Sequence, residues 1–333
     1  MVINGRTAMN LDVITLGEIL IDMFPAEVGR SMNEVSAFIP KPGGAPANVA
    51  VAAARLGARS AFVGKVGEDI FGHFLKSTLE AEGVHTGGMR FDPNARTTLV
   101  FIALPDEHSA EFVFYRNPGA DMLLRAEELD VDLFKGARSF HFGSISLIAE
   151  PSRSATLEAV RLARRSGALV SFDFNYRPSL WESSGQACKR ALAVIPSVDL
   201  VKVNETELAL LTGLDDLERA AKSLLQLGPA LCVVTLGQKG SYYQIETAGE
   251  FVPGFSVKTV DATGCGDAFV AGLLTRLVKS RLMHEDLSPE GLYQALRYAN
   301  AVGALTALNL GVIPALPRSG QVEVFMEKEA KNV

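Results

Sequence analysis

The chain has 333 residues, 48% hydrophobic and 21% charged, with a formal net charge of −6. This length buries a sizeable core, as one large α/β domain or two smaller ones, and the composition excludes a disordered chain. The acidic surplus argues against broad nucleic-acid or anionic-membrane binding, but not against a nucleotide, because a local anion hole is built from backbone amides. Cys188, Cys232 and Cys265 lie far apart and form no Cys-x-x-Cys, so neither a disulfide framework nor a zinc site is expected. The five histidines do not cluster. The first residues lack a long apolar stretch or a cleavage pattern, and no apolar run reaches spanning length. A cytoplasmic, reduced protein with no membrane partner is expected.

Short apolar runs alternate with longer helical patterns along the chain. Residues 13–16 read as a buried strand, and Asp22, inside the apolar run 19–24, falls at the C-terminal end of that first strand. A carboxylate there is costly unless partners satisfy it. Two vicinal sugar hydroxyls would do so, and so would a nearby turn. Residues 35–41 are short and extended. Pro42-Gly43-Gly44-Ala45-Pro46-Ala47-Asn48 then opens an Ala-rich helix over 47–56. Its bare glycines let a polyol approach the backbone, and Asn48 offers both donor and acceptor, although taken alone the pattern favours a plain turn and helix start.

A strand at 60–63 and a helix at 71–82 follow. Residues 96–104 and 111–116, rich in Thr, Val and Phe, read as a hairpin with a polar turn at 105–109. Apolar residues occupy both alternation phases, Leu99 to Ile102 and Phe112 to Tyr115. One phase can face a site, and the other needs cover. Cover by a second copy of the chain is expected, with packing on the parent domain as the alternative.

Strands are expected at 138–142, 169–174, 200–203 and 231–235, with helices at 151–166, 186–195, 205–211 and 216–227. Pro151 suits a first turn, and Gly167 and Gly213 suit helix ends. This alternation predicts βαβ units and a mostly parallel sheet with helices on both faces. Ligands on such sheets sit at the C-terminal strand ends. His141, inside an apolar run, reads as a satisfied buried histidine. Asn204 and Glu207, three apart at a helix start, suit a hydrated Mg²⁺ shared with phosphate, or simple capping. Thr235-Leu236-Gly237-Gln238-Lys239-Gly240 is neither a Walker A loop nor a dinucleotide fingerprint, and its turn lets ribose and phosphates approach.

The most informative stretch is Val260-Asp261-Ala262-Thr263-Gly264-Cys265-Gly266-Asp267-Ala268-Phe269. Gly264 to Asp267 are expected to form a turn that opens an apolar helix. The first amides of a helix have no partner within it, and the helix dipole favours an anion there. An acid beside a phosphate repels it, but it is useful as a base toward an attacking hydroxyl. The pattern therefore points to phosphoryl transfer to an alcohol, against the alternative that Asp267 only caps the helix.

Gly43-Gly44-x-x-x-Asn48 together with Asp261-x-x-Gly264-x-Gly266-Asp267 resembles the two signatures of the ribokinase (PfkB) family of carbohydrate kinases. The similarity runs from about residue 12 to about residue 325. Within the family it is nearest to fructokinases, through Gly17 to Asp22, Tyr115 to Leu124, Phe140 to Ile148, Asp173 to Arg177 and Ile313 to Pro317. The resemblance implies a three-layer αβα sandwich, one domain over 1–333, with a β-lid from segments near 20–42 and 96–118. It implies ATP as donor, with Mg²⁺ and often K⁺. Asp267 is then the base, and Gly264, Cys265 and Gly266 supply the anion hole. Asp22, Gly43, Gly44 and Asn48 match sugar-binding positions, and Phe101, Arg116 and Arg177 are expected near the sugar. Asn204, Thr235, Gly237, Gly240 and Asn300 are expected at the nucleotide. Glu207 is expected to reach Mg²⁺ through water, with Asp261 and Gly311 at a monovalent-cation loop.

The resemblance makes D-fructose the expected acceptor and fructose 6-phosphate the product. Aminoimidazole riboside or 2-keto-3-deoxygluconate are alternatives on the same fold, the acid sugar requiring a cation such as Arg116 or Arg177. A sugar-binding regulator without activity is the alternative outside enzymology. Two positions depart from the family pattern. Ala262 stands where Thr is frequent, which bears on K⁺ dependence. Cys265 stands where Ala is usual, which raises a redox role for a thiol at a helix start against plain packing.

Overall fold

Residue ranges in chain order are β1 (Val13–Leu16), β2 (Leu20–Pro25), β3 (Phe38–Gly43), α1 (Ala45–Arg55), β4 (Ser60–Gly67), α2 (Ile70–Ala81), β5 (His85–Asp92), β6 (Leu99–Ala103) and β7 (Glu111–Tyr115). They continue with β8 (Ser139–Gly143), α3 (Ser152–Arg165), β9 (Leu169–Asp173), α4 (Ser184–Val194), β10 (Leu200–Asn204), α5 (Glu205–Thr212), α6 (Leu217–Leu225) and β11 (Leu231–Thr235). The last are β12 (Gly240–Gln244), β13 (Gly249–Pro253), α7 (Cys265–Ser280), α8 (Pro289–Thr306), α9 (Val312–Ala315) and α10 (Ser319–Ala330). The computed structural model describes residues 10–106, 111–282 and 287–331. Most of the turn expected at 105–109, and the first nine residues, lie outside the described residues.

The larger sheet has the order β13-β12-β11-β10-β9-β8-β1-β4-β5. Every pairing from β5 across to β11 is parallel, and β12 and β13 add antiparallel strands at one edge. The parallel strands are covered on both faces, which is why runs such as Val13–Leu16 and Leu169–Asp173 are buried throughout. One apolar core joins the sheet to α1, α7 and α8, and a second joins its other face to α3, α4 and α6. The fold is therefore the expected α/β sandwich.

The smaller sheet has the order β3-β2-β6-β7. Here the structure corrects the reading of Asp22. The chain leaves β1 at Gly17, whose φ is 151°, and Asp22 lies in β2 of the smaller sheet, not at the end of β1. The run 19–24 looks like a continuation of β1 only because both pieces are apolar.

Several helices start on a side chain that caps them. Asp69, Ser183, Asp216 and Ser288 do so for α2, α4, α6 and α8. By contrast, α1 and α7 start at Gly44 and Gly264, with φ of 107° and 77° and no side-chain cap. The first amide of each is held from outside the helix, Ala45 by the Glu18 carboxylate and Cys265 by the Ala262 carbonyl, and no side chain caps the amides that follow. Helix α7 already begins at Cys265, so Asp267 lies in its first turn and only Gly264 stands outside it.

Candidate active site

Asn48 and Asp267 lie 219 residues apart and meet directly. The Asn48 amide Nδ2 donates to Asp267 Oδ2 at 2.8 Å in a buried hydrogen bond. Both residues sit in the first turns of their helices, so the packing of α1 on α7 brings two glycine-capped helix starts together. Asn48 Oδ1 is buried with no partner among the described residues, which leaves an acceptor for a ligand hydroxyl. Burial pushes the Asp267 carboxyl up to about 6, reinforced by Asp173 and opposed by the Asn48 bond, Arg177 and Lys202.

Asp22 faces the same place from the smaller sheet. Burial pushes it up to about 7, with repulsion from Asp267 second and Arg177 opposing. Among the described residues no group hydrogen-bonds its carboxylate. Gly43 makes room for it, because a Cβ there would meet Asp22 Oδ2 at 2.0 Å. A Cβ on Gly44 would meet the Glu18 carbonyl at 2.5 Å. Arg177 is exposed beyond Asn175, a non-glycine residue at φ 36°.

Two expected acceptor residues lie elsewhere. Phe101 pairs with Met23, whereas Asp22 pairs with Val100, so Phe101 is on the opposite face of the smaller sheet. Its ring packs on Phe38 and Tyr115, with centroids at 5.0 and 5.2 Å. Val100 and Ile102 occupy the Asp22 face instead, which the period of two in the strand would have revealed. Arg116 is buried, and its guanidinium is bound to Asp121 at 2.6–2.7 Å. It is not a free cation for a ligand carboxylate.

Beside the α7 start lies a cavity of about 440 Å³. Asn204, Thr235, Gly237, Gly240, Cys265, Gly266 and Asn300 line it, together with the apolar Phe255, Val257, Phe269 and Ala304, to which the sequence gives no role. An apolar slot ending at open helix amides suits a base at one end and phosphates at the other. The Asn300 amide donates to the carbonyls of Val252 and Pro253, so it shapes the wall. Gly264 fits only as glycine, because a Cβ would meet Val312 Cγ1 at 2.2 Å.

Asn204 and Glu207 form a reciprocal capping box on α5, and Glu207 also accepts from the Tyr176 amide at 2.7 Å. Glu207 is buried rather than solvated, and burial together with Asp173 raises its pKa. Lys202 is bound to Asp173 at 3.1 Å beneath Gly266. Asp173 and Glu207 thus share a single neighbouring lysine, Lys202. Among the described residues no three His, Cys, Asp or Glu side chains are placed to hold a metal. This donor set fits a hydrated Mg²⁺ held through water and phosphate, not a protein cage. Asp261 accepts from the amides of Thr263 and Gly311, so main-chain carbonyls of that cross-linked loop are the donors left for a monovalent cation.

Burial pushes the Cys265 thiol up to about 12, with Asp261 and Asp267 adding to it. The thiolate expected of a reactive cysteine is therefore not favoured, despite the helix start. His141 is buried with Nδ1 at 3.0 Å from Ser171 Oγ, and burial brings it down to about 4.

The pattern of the pfkB family of carbohydrate kinases matches residues 10–318. The chain belongs to that family. Fructokinase-2 of Solanum lycopersicum is 46% identical over 328 residues, covering 98% of this chain and 99% of the relative. The crystal structure of a fructokinase from Xylella fastidiosa with bound ATP superposes with a TM-score of 0.88 at 36% identity, covering 96% of this chain and 99% of the other. A double mutant of the fructokinase of Vibrio cholerae O395, with fructose, ADP and potassium bound, gives 0.84 at 35% identity, covering 95% and 98%. This pfkB-family chain is an ATP-dependent carbohydrate kinase.

Proposed function

We propose that the chain is a fructokinase that transfers the γ-phosphoryl group of ATP to the primary hydroxyl of D-fructose, giving fructose 6-phosphate and ADP. The observation that carries the chemistry is the buried Asn48–Asp267 bond, which joins an acceptor-side helix start to a phosphate-side one. The likeness to fructokinases along nearly the whole chain supports fructose as the acceptor. Of the two cations an acid sugar could use, Arg116 is committed to Asp121, which leaves Arg177.

Asp22 and Asn48 take sugar hydroxyls, and Gly43 and Gly44 let the ring close on the backbone. Asp267 takes the proton of the primary hydroxyl as its oxygen attacks the γ-phosphorus and the bond to the β-phosphate oxygen breaks. A carboxyl near 6 is ionised at neutral pH yet basic enough to assist. The Gly264 and Gly266 amides stabilise the charge on the transferred group, whereas the Cys265 amide expected beside them already donates to the Ala262 carbonyl. Glu207, through water, and Asn204 would hold Mg²⁺, which neutralises phosphate charge when bound. The Asp261–Gly311 loop would hold K⁺. The smaller sheet covers the sugar and excludes water.

A cytoplasmic setting and a homodimer through the smaller sheet complete the reading. Val113 and Tyr115 are 43% and 65% exposed on the face that carries Phe101. Light scattering of Tyr115→Asp tests the dimer, which is expected to dissociate.

The deciding experiment is ATP-dependent phosphorylation of fructose, glucose, ribose, 2-keto-3-deoxygluconate and aminoimidazole riboside, with Asp267→Asn as blank. Fructose is expected to dominate, with kcat lowered about 10²–10⁴-fold in the variant at nearly constant sugar KM. Preference for another acceptor overturns the substrate. Unchanged kcat overturns the base.

A further inference from the structure

The chain crosses between the two sheets four times, and buried polar groups stand at every crossing, Glu18 near enough to Arg116 and Asp121 to feel their charges. Glu18 lies on the way from β1 to β2, Ala45 follows β3, Thr98 precedes β6, and Arg116 follows β7. Asp121, just beyond, ties two of them. Its Oδ1 accepts from Thr98 Oγ1 at 2.6 Å, and its Oδ2 accepts from Arg116 Nε at 2.7 Å. Glu18 Oε1 accepts from the Ala45 amide at 3.2 Å, the residue directly after Gly44. Glu18, Thr98, Arg116 and Asp121 are 4%, 1%, 8% and 7% exposed. The packing is close, since a Cβ on Gly119 would meet Thr98 Oγ1 at 1.9 Å. Glu18 Oε2 is buried with no partner among the described residues.

We propose that Glu18, Thr98, Arg116 and Asp121 form the hinge that sets the smaller sheet, and that Glu18 is a positioning residue for the acceptor. Its backbone leads within four residues to Asp22, and its side chain holds the amide beside Gly43 and Gly44. Displacement of the smaller sheet is thereby passed to both sides of the acceptor site at once. The cluster shares no residue with the nucleotide cavity. Burial pushes the Glu18 carboxyl up to about 7, so a neutral amide is a fair substitute for it. The reading rests on the proposed reaction for its kinetic test but not for its structural one.

The test uses the full chain with Glu18→Ala, Glu18→Gln and Asp121→Asn. Hydrogen exchange without ligands is expected to quicken in residues 20–25, 38–43, 99–103 and 111–115 of the Ala and Asn variants. Glu18→Ala is expected to raise the fructose KM about tenfold, the worth of one lost hydrogen bond, with the ATP KM within about twofold. Glu18→Gln keeps an oxygen for the Ala45 amide and is expected to restore both readouts. Equal rises in the two KM values, unchanged exchange, or a Gln variant as impaired as Ala would overturn the hinge. If the wild type phosphorylates no sugar, the proposed reaction fails while the exchange data still decide the hinge.

Discussion

Replacing Asn48 by Ala removes the one hydrogen bond that a side chain among the described residues donates to the Asp267 carboxylate. A hydrogen bond to a charged group is worth about 1.5–3 kcal/mol and one to a neutral group about 0.5–1.5 kcal/mol. The bond therefore favours the ionised carboxylate by roughly 1.5 kcal/mol, or about one pH unit. With Asp267 near 6, the acid limb of activity is expected to move to about 7 in the variant. The sign follows from the base being active when deprotonated: a higher pKa removes activity at low pH and spares the alkaline plateau. At pH 6 the wild type keeps about half of its plateau rate and the variant about a tenth. The assay is kcat from pH 5 to 9 by coupled ADP release at saturating fructose and ATP. Saturation removes the loss of sugar affinity that Asn48→Ala also causes, and comparing the two proteins cancels any offset due to bound sugar. A limb that stays in place, or moves to lower pH, would refute both the base and the role of the bond.

Three further outcomes follow from local geometry. Gly43→Ala puts a Cβ onto Asp22 Oδ2 and is expected to raise the fructose KM more than tenfold with little effect on the ATP KM, read by initial rates. Gly264→Ala forces a side chain into φ 77° against Val312, at a cost of about 1–3 kcal/mol, and is expected to lower both kcat and the denaturation midpoint. Peroxide is expected to inactivate wild type and Cys265→Ala equally, because the thiol is pushed up to about 12; protection by the substitution would restore a redox role.

The buried parallel strands were legible because they are continuous apolar runs: Val13–Leu16 and Leu231–Thr235 stand where the pattern puts them. Strand β5 was not, since Gly87 and Gly88 interrupt it and it alternates in burial. The antiparallel β12 and β13 were not legible either, because their sequences mix polar with apolar residues and carry no continuous apolar run. In the site, the glycine positions carried most of the signal, because open helix amides require bare backbone at Gly44 and Gly264. Phe101 and Arg116 were misplaced for different reasons. Phe101 needed the strand phase relative to Asp22, and Arg116 needed knowledge of Asp121, a partner that local pattern does not single out. Only the apolar part of the nucleotide wall was invisible, because Phe255, Val257 and Phe269 look like ordinary core residues.

The lining of the nucleotide cavity comes from residues 204 to 307 alone, while Asp22, Gly43, Gly44 and Asn48 all precede residue 50. Donor and acceptor recognition are thus inherited on separate stretches of the gene, joined in the folded protein by the Asn48–Asp267 contact. Recombination between residues 178 and 203 would keep the smaller sheet, its hinge and Arg177 together, and exchange the acceptor side as a block. New acceptors can arise by replacing the front of the chain, provided that an asparagine returns to meet the aspartate.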